Sequence, residues 1–295
     1  MPSVRDLRDR IRSLKNTQQI TKAMKQVAAA KIRRAELAQK QARPYADTLG
    51  EMLRDLMASV GSVDHPFMKP GRAGAPSGTI LMTADKGLAG AFNSNVIRAG
   101  ELYRNDNANA QFYTVGIKAR NAVRRWGIAD HATWLLAAHK LQTAREVAQR
   151  VTDDFIAGKI SDITLISAKL VSMMSQKPVT RRLIPVGAAS QRDAVLGPST
   201  SSGQAQSKGS VEFAPSPEFV LSRLLPKYLE FTIFSAMLET DAAFYAAQLL
   251  AMNNATDNAG KLIDELTIQM NNARQAAITK ELLEIVGGAE ALTNA

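Results

Sequence analysis

The sequence predicts an α/β fold combined with a long antiparallel coiled coil, in which a central Rossmann-like βαβ domain lies between two long terminal helices. Apolar residues recur at heptad spacing near both ends of the 295-residue chain, which is typical of a coiled-coil seam. Between these ends, short apolar runs alternate with helical stretches, as in a largely parallel sheet with crossover helices. Aromatic residues make up 5% of the chain, a composition that suits close helix packing.

The first long helix is predicted over residues 1–60, with Pro2 and Ser3 at its start, since proline and serine favour the first positions of a helix. We expect Pro44 to kink or interrupt this helix, because proline lacks the amide hydrogen that the helix needs. The apolar and small residues that step by three and four are Val4, Leu7, Ile11, Leu14, Thr21, Ala28, Ile32 and Ala35.

The second long helix is predicted within residues 211–288, and it should pair with residues 1–60. Its seam steps by four and three without a break through Leu238, Ala242, Tyr245, Leu249, Met252, Thr256, Ala259, Ile263, Leu266, Met270, Ala273 and Ala277. The apolar positions then shift to Ile278, Leu282 and Ile285, so we expect the last turns to face something else. Gly287 and Gly288 are predicted to end the helix.

Residues 78–210 are predicted to form the central α/β domain. Strands are expected over residues 78–85, 110–116, 162–170 and 180–186, and helices near residues 94–104, 118–126 and 140–157. Residues 187–210 are rich in serine and glycine, which predicts a loop.

The two ends of the chain carry opposite charge. Residues 1–43 hold twelve lysines or arginines against three acidic residues, and residues 238–295 hold three against eight. Because the chain leaves and re-enters the same domain, the two helices should pair antiparallel.

Composition excludes several classes of function. The chain has no cysteine and three histidines, His65, His131 and His139, so disulfides and thiol catalysis are excluded and a metal site is not expected. The charged start and the lack of a stretch of about 20 apolar residues predict an intracellular protein without a cleaved signal.

The segment "TADKGLAGAFNSN", residues 83–95, lies where the first strand turns into a helix, the usual place for a nucleotide-binding loop. It matches neither the dinucleotide nor the phosphate-loop glycine pattern. We therefore interpret it as a tight turn, with Asp85 and Lys86 as a local ion pair or cap, and we assign no catalytic, cofactor-binding or metal residues.

The basic first helix leaves a nucleic-acid-binding adaptor open as an alternative function. Its positive side chains surround the helix, however, and no aromatic residue precedes Tyr45 to stack on bases. A nucleotide-dependent Rossmann-like enzyme is the second alternative, and only the βαβ pattern favours it.

Two terminal motifs resemble those of the gamma subunit of rotary F-type ATP synthases: "TQQITKAMKQVAAAKIRRAE" at residues 17–36 and the segment "AMNNATDNAGKLIDELTIQMNNARQAAITKELLEIVGGAEAL" at residues 251–292. The turn "DKGLAGAFNSN" resembles the family's Asp-Arg/Lys-Gly-Leu-Cys-Gly-Gly segment, with Ala89 and Ala91 as departures. The segment "MSQKPVTRRLIPV" is similar to the family's Met-Ser-Gln and Leu-Leu-Pro strand. The resemblance covers essentially the whole chain.

The resemblance implies a non-catalytic rotor, whose terminal helices form a shaft inside a ring of alpha and beta subunits. This shaft couples rotation of the membrane c-subunit ring to ATP synthesis or hydrolysis. The implied partners are the alpha, beta, epsilon and delta subunits and the c ring, with no nucleic acid. The implied location is peripheral, on the cytoplasmic face of a bacterial inner membrane. The redox control of chloroplast members is excluded, because their regulatory dithiol needs cysteine.

The resemblance also implies contact residues. Met24 and Lys25 should lie near acidic loops of the beta subunits, and Arg274, Gln275 and Thr279 should form a hydrogen-bonded catch with the ring. The small or weakly polar residues around this catch should avoid locking the rotor in one orientation. Glu212 and Phe213, within "VEFAPSP" at residues 211–217, are expected to contact epsilon or the c ring.

Overall fold

The computed structural model describes residues 3–59, 65–69, 71–137, 139–186 and 217–293. The elements over these ranges are the helices α1 (Val4–Ser59), α2 (Phe92–Asp106), α3 (Ile117–Arg125), α4 (Lys140–Ile156) and α5 (Pro217–Thr293), and the strands β1 (Ser77–Met82), β2 (Gln111–Val115), β3 (Ala132–Trp134), β4 (Asp162–Ser172) and β5 (Ser175–Ile184). A short 3-10 helix covers Pro66–Met68. The chain divides into two compact units, of which one contains Met1–Ala28 with Leu249–Ala295 and the other contains Ala29–Gln248.

The first unit is an antiparallel pair of helical segments. The hydroxyl of Thr256 donates to that of Thr21 at 2.8 Å, and the side-chain amide of Gln18 donates to the Thr256 carbonyl at 3.4 Å. Lys25, four residues further along α1 than Thr21, contacts Asn253, three residues back along α5 from Thr256, which sets the antiparallel direction. The seam residues Leu7, Ile11, Thr21, Ala28, Met252, Ala259 and Ile263 are buried. The predicted coiled coil is therefore confirmed.

The second unit contains a mixed sheet with the strand order β3-β2-β1-β4-β5. Strands β1 to β4 are parallel, and β5 pairs antiparallel with β4 through a hairpin. Strand β1 is central and buried from Gly78 to Met82, so it presents apolar side chains to both faces, as parallel strands do.

Each face of the sheet is covered by helices. On one face, Ile80, Tyr113 and Leu165 pack in a cluster with residues of α4, α1 and the first turns of α5. On the other face, Leu81 and Phe112 pack with residues of α2 and α3. Alternate residues of β1 contribute to the two clusters, as the period of a strand requires.

The structure corrects four expectations. The helix α1 continues through Pro44 without interruption. The helix α5 runs to Thr293, so Gly287 and Gly288 do not end it. The sheet has an additional short edge strand, β3, that the sequence analysis missed. The fourth predicted strand begins at Ser175 instead of residue 180 and is antiparallel.

Candidate functional site

The carboxyl ends of β1 and β4 form the edge at which open α/β sheets bind nucleotides, because the strand order reverses between these two strands. Here α5 fills that edge. The amide of Ala168, beyond the part of β4 that pairs with β1, donates to the hydroxyl of Thr240 at 3.3 Å. The rings of Phe92 and Phe244 contact edge to face at 5.8 Å. Ala89 packs in the same buried cluster. A protein helix thus occupies the place of a ligand.

Asp85 closes the loops at this edge. Its carboxylate accepts hydrogen bonds from the backbone amides of Ile117 at 3.2 Å, Leu136 at 3.3 Å and Ala137 at 2.9 Å. Three amide donors hold the carboxylate between two loops, which is a structural cap. Of the two predicted roles of Asp85, the geometry favours the cap over the ion pair with Lys86, whose side chain is exposed.

The turn after β1 is closed by Asn93. Its side-chain oxygen accepts from the Ala84 amide at 3.1 Å, and its side-chain nitrogen donates to the Lys86 carbonyl at 3.0 Å. Leu88 has a positive φ of 62°, a conformation that a tight turn imposes. This segment is therefore the tight turn that the sequence predicted.

His65 serves local structure. The Nδ1 of His65 accepts from the Phe67 amide at 3.1 Å and caps the short 3-10 helix, and burial lowers the pKa of His65. Over the described ranges, no group of three or more potential ligand side chains is placed to hold a metal ion. Within the same ranges, no helix is long and apolar enough to cross a bilayer.

The predicted contact residues of α1 lie on the coiled coil. Met24 and Lys25 are both half-buried, and the Lys25 ammonium donates to the side-chain oxygen of Asn253 at 2.5 Å. Asn253 was not predicted as a partner, although the antiparallel pairing of Thr21 with Thr256 places it opposite Lys25. Part of the hydrogen-bonding capacity of Lys25 is therefore used within the chain.

The predicted catch residues of α5 are all exposed. The hydroxyl of Thr279 donates to the Gln275 carbonyl at 3.0 Å, one turn back along the helix. Within the described part of the chain, no hydrogen bond or ion pair engages the guanidinium of Arg274. The geometry brings Arg274, Gln275 and Thr279 to neighbouring positions on one stretch of helix, available to another chain.

Burial along the seam of α5 ends in the same region. Ile263 is buried, Leu266, Met270 and Ala273 are half-buried, and Ala277 is exposed. Beyond this point the shifted apolar residues Ile278, Leu282 and Ile285 are 49%, 57% and 68% exposed. Apolar helix faces of this kind mark protein–protein contacts.

A second polar cluster, which periodicity did not predict, lies within the unit Ala29–Gln248, where it joins α4 to α5 and α1 to α5. The Lys140 ammonium lies 3.1 Å from the Asp241 carboxylate, and both side chains are mostly buried. Lys31 donates to the Tyr245 hydroxyl at 3.3 Å. Burial raises the pKa of Asp241, against the opposing effect of Lys140. Asp241, an acidic residue directly before the seam position Ala242, was the sequence signal for this pair.

Glu212 and Phe213, the expected contacts with epsilon or the c ring, lie outside the described residues, as does the predicted loop 187–210.

Residues 3–292 match the family model described as ATP synthase. A curated ATP synthase gamma chain from Pelotomaculum thermopropionicum is 44% identical over 99% of this chain and 100% of its own length. The chain belongs to the ATP synthase gamma chain family. The gamma chain of Phenylobacterium zucineum is also similar, at 40% identity over 99% of this chain and all of its own length.

Solved structures show the same fold as this gamma chain. A chain of the Euglena gracilis mitochondrial ATP synthase, in an assembly of OSCP, F1 and c-ring, has a TM-score of 0.67 at 19% identity and covers 98% of this chain and 94% of that chain. A chain of the Tetrahymena thermophila central stalk and c-ring has a TM-score of 0.58 at 23% identity and covers 80% of this chain and 99% of that chain. As a gamma chain, the protein is a non-catalytic subunit of its complex.

Proposed function

We propose that this gamma chain is the central rotor of a proton-translocating F-type ATP synthase, with its coiled coil as the shaft. The observation that carries the proposal is the end of α5, where the internal seam stops and an exposed apolar face begins. A helix that ends in this way needs a surrounding partner to cover it. The ring of alpha and beta subunits is the partner that family membership supplies.

The two alternative functions receive no support from the comparisons. A nucleotide-dependent enzyme would need the sheet edge that Thr240 and Phe244 of α5 occupy. A nucleic-acid adaptor would explain the basic residues of α1, but Lys25 and Lys31 are engaged within the chain.

We place the contacts with the ring at two points. Met24 and Lys25 lie near the acidic loops of the beta subunits, and Arg274, Gln275 and Thr279 form the catch with the ring. The exposure of the three catch residues supports this assignment, since within the described residues the Arg274 guanidinium has no hydrogen bond or ion pair and Thr279 bonds only to the Gln275 carbonyl of its own helix. The delta subunit is a further partner within the catalytic sector.

The contacts with epsilon or the c ring are assigned to Glu212 and Phe213. These contacts hold the complex to the membrane. The complex is then peripheral, on the cytoplasmic face of a bacterial inner membrane. Charge reversal at Glu212 or truncation of Phe213 should weaken membrane attachment and leave ATP hydrolysis by the detached complex largely intact. Equal loss of attachment and hydrolysis would indicate misfolding and would remove this assignment.

Site-directed crosslinking tests the rotor function, and the absence of cysteine makes an introduced cysteine unique in this chain. A benzophenone maleimide is attached to Gln275→Cys in the assembled complex and then illuminated. We expect a covalent product with an alpha or beta subunit and loss of ATP hydrolysis in proportion to its yield, because a rotor fixed to its housing cannot turn.

The matched control is Arg98→Cys on the exposed surface of α2, labelled and illuminated in the same way. Hydrolysis should persist in this control, since the position is assigned to no contact with the ring. Crosslinking of Gln275→Cys to the ring without loss of hydrolysis would exclude rotation of this chain as an obligatory step.

A further inference from the structure

A closed set of hydrogen bonds joins the two helices of the unit that contains Met1–Ala28 and Leu249–Ala295. The Thr256 hydroxyl donates to the Thr21 hydroxyl at 2.8 Å, and the Thr21 hydroxyl donates to the Gln18 carbonyl at 3.0 Å. The side-chain amide of Gln18 in turn donates to the Thr256 carbonyl at 3.4 Å. We call Gln18, Thr21 and Thr256 the polar layer, because their hydrogen bonds cross between the helices in both directions.

The polar layer lies at the interface of the two helices. Thr21 and Thr256 are seam positions, of which Thr21 is buried and Thr256 is half-buried, and Gln18 is half-buried beside them. Hydroxyl and amide groups bury less apolar surface here than leucine or isoleucine would. In coiled coils, a polar residue at a single seam position specifies the register of the helices at a cost in stability. The position of the polar layer is suited to the same role.

Gly260 is a separate indication that the Gln18 amide has a defined place. A glycine inside a helix is unfavourable, because its backbone loses the most conformational freedom on folding. A Cβ at this position would lie 3.1 Å from the side-chain nitrogen of Gln18, which is closer than ordinary van der Waals contact. The missing side chain thus leaves the space in which the Gln18 amide reaches the Thr256 carbonyl.

The apolar part of the seam leaves more than one register open. The α5 seam continues beyond the polar layer in unbroken steps of four and three, through Ala259, Ile263, Leu266 and Met270. Displacement of α1 by three or four residues, about 5 Å, would bring its buried residues Leu7 and Ile11 against the next such positions. Apolar burial would change little, because the hydrophobic effect has no direction. The hydrogen bonds of the polar layer would all break, so they distinguish between the two registers.

We propose that Gln18, Thr21 and Thr256 are positioning residues, which fix the register of α1 against α5. Register is important for the contacts with the ring, because Lys25 lies on α1 and Arg274 lies on α5. The axial distance between these two proposed contacts depends on how the helices are aligned. This consequence rests on the proposed rotor function, whereas the role of the polar layer in the register does not.

A distance measurement between two spin labels on the full-length chain tests the register. Gln19→Cys and Gln269→Cys introduce one label on each helix, at exposed positions outside the polar layer. The chain has no cysteine of its own, so only these two positions are labelled. Double electron–electron resonance then gives the distribution of distances between the labels. We expect a single narrow distribution when the polar layer is intact.

Variants of the labelled chain separate hydrogen bonding from packing. Thr21→Val with Thr256→Val keeps the side-chain shape and removes both hydroxyls. It should broaden the distribution or add a second maximum displaced by up to about 5 Å, one helical turn. Gln18→Leu removes the amide and should broaden the distribution to a smaller extent. Thr21→Ser with Thr256→Ser keeps both hydroxyls and should retain the narrow distribution.

Thr267→Val is the matched control. The Thr267 hydroxyl is half-buried on α5 and donates to the Ile263 carbonyl of its own helix at 2.7 Å, so its loss should leave the distribution unchanged. Circular dichroism of each variant distinguishes a change of register from unfolding. If the valine double variant loses helix content, Gln18→Leu decides in its place, because leucine is a good helix former.

The proposal is overturned if the folded valine double variant gives the same narrow distribution as the chain with an intact polar layer. It is also overturned if the serine double variant or Thr267→Val broadens the distribution as much as the valine double variant does. The readout is a distance within the isolated chain, so either result leaves the rotor function untouched. Failure of Gln275→Cys to crosslink to the ring would, in the same way, leave the assignment of the register untouched.

Discussion

The ammonium of Lys25 and the side-chain oxygen of Asn253 lie 2.5 Å apart on the two antiparallel helices of the coiled coil. This contact joins α1 to α5 within the chain, and Lys25 is also a proposed contact with the beta subunits. The two roles are separable, because Asn253 takes part in only one of them.

Substitution of Lys25 and substitution of Asn253 should therefore differ in their effect on the turnover of the complex. Lys25→Ala and Asn253→Ala should each lower the free energy of unfolding by about 1 kcal/mol, the usual value for one hydrogen bond. Lys25→Ala should in addition lower the hydrolysis rate of the assembled complex, whereas Asn253→Ala should not. Urea unfolding of the chain and hydrolysis by the purified complex provide the two measurements. Equal rates in the two variants would restrict Lys25 to its role inside the chain.

Arg274→Ala should lower both the turnover of the assembled complex and the coupling of hydrolysis to proton pumping, without loss of the chain's own fold. Loss of one charged hydrogen bond costs about 1.5–3 kcal/mol, or roughly tenfold or more in rate if the contact is made at the limiting step. Reconstituted vesicles with verified assembly provide the measurement. Lys280→Ala removes a nearby charge that is paired with Glu284 at 3.6 Å and serves as the control. Wild-type hydrolysis and pumping in Arg274→Ala would place the catch elsewhere.

Lys140→Ala should destabilise the chain by about 2–4 kcal/mol at pH 7, because it leaves the mostly buried Asp241 carboxylate without its partner. Burial raises the folded-state pKa of Asp241 above its ordinary value, and loss of Lys140 raises it further. Ionisation of such a carboxylate disfavours the folded state, so the added destabilisation should be absent well below the ordinary pKa and should develop as pH rises through the folded pKa.

Urea unfolding of wild type and Lys140→Ala at pH 7 and near pH 4.5 measures this effect. The difference in stability between the two proteins should be smaller at the lower pH. The double variant Lys140→Ala with Asp241→Asn should regain part of the lost stability at pH 7, since no unpaired charge remains. A loss that is independent of pH would mean that the Lys140 side chain stabilises through packing alone.

Gly116→Ala should strongly destabilise the sheet unit. Gly116 has a φ of +98°, and a Cβ at this position would lie 2.1 Å from the Thr83 carbonyl oxygen. Gly127 also has a positive φ, +73°, but no atom lies within 4 Å of its Cβ position. Gly127→Ala should therefore cost about 1–2 kcal/mol from backbone strain alone, and Gly116→Ala more than about 4 kcal/mol. Thermal unfolding compares them, and similar losses would contradict a steric role for Thr83.

Periodicity predicted the coiled coil well because burial along a paired helix depends directly on residue spacing. It could not predict how far α5 extends. A glycine in a helix interior costs about 1 kcal/mol. The helix α5 continues through Gly287 and Gly288 in spite of this local cost. Pro44 is similar, since a proline inside a helix costs about 3 kcal/mol, a local penalty that does not interrupt α1.

The strand β3 escaped prediction because its three residues, Ala132–Trp134, are too few to show alternation of apolar and polar positions. Among site features, the resemblance supplied Arg274, Gln275 and Thr279 by position, and their exposure became known only from the structure. The ion pair of Lys140 with Asp241 joins residues 101 positions apart in the chain, a contact that depends on the path of α5 past the sheet.

The edge-to-face contact of Phe92 and Phe244 at the end of the sheet affects how α5 transmits force. A force along or around α5 is transmitted to the sheet through buried side chains of the helix, such as Phe244. Many contacts therefore share that force at once. A helix attached only at the surface of the sheet would instead separate one contact at a time, at a lower force. The sheet edge that binds a ligand in nucleotide-binding proteins thus serves here as the attachment site of α5.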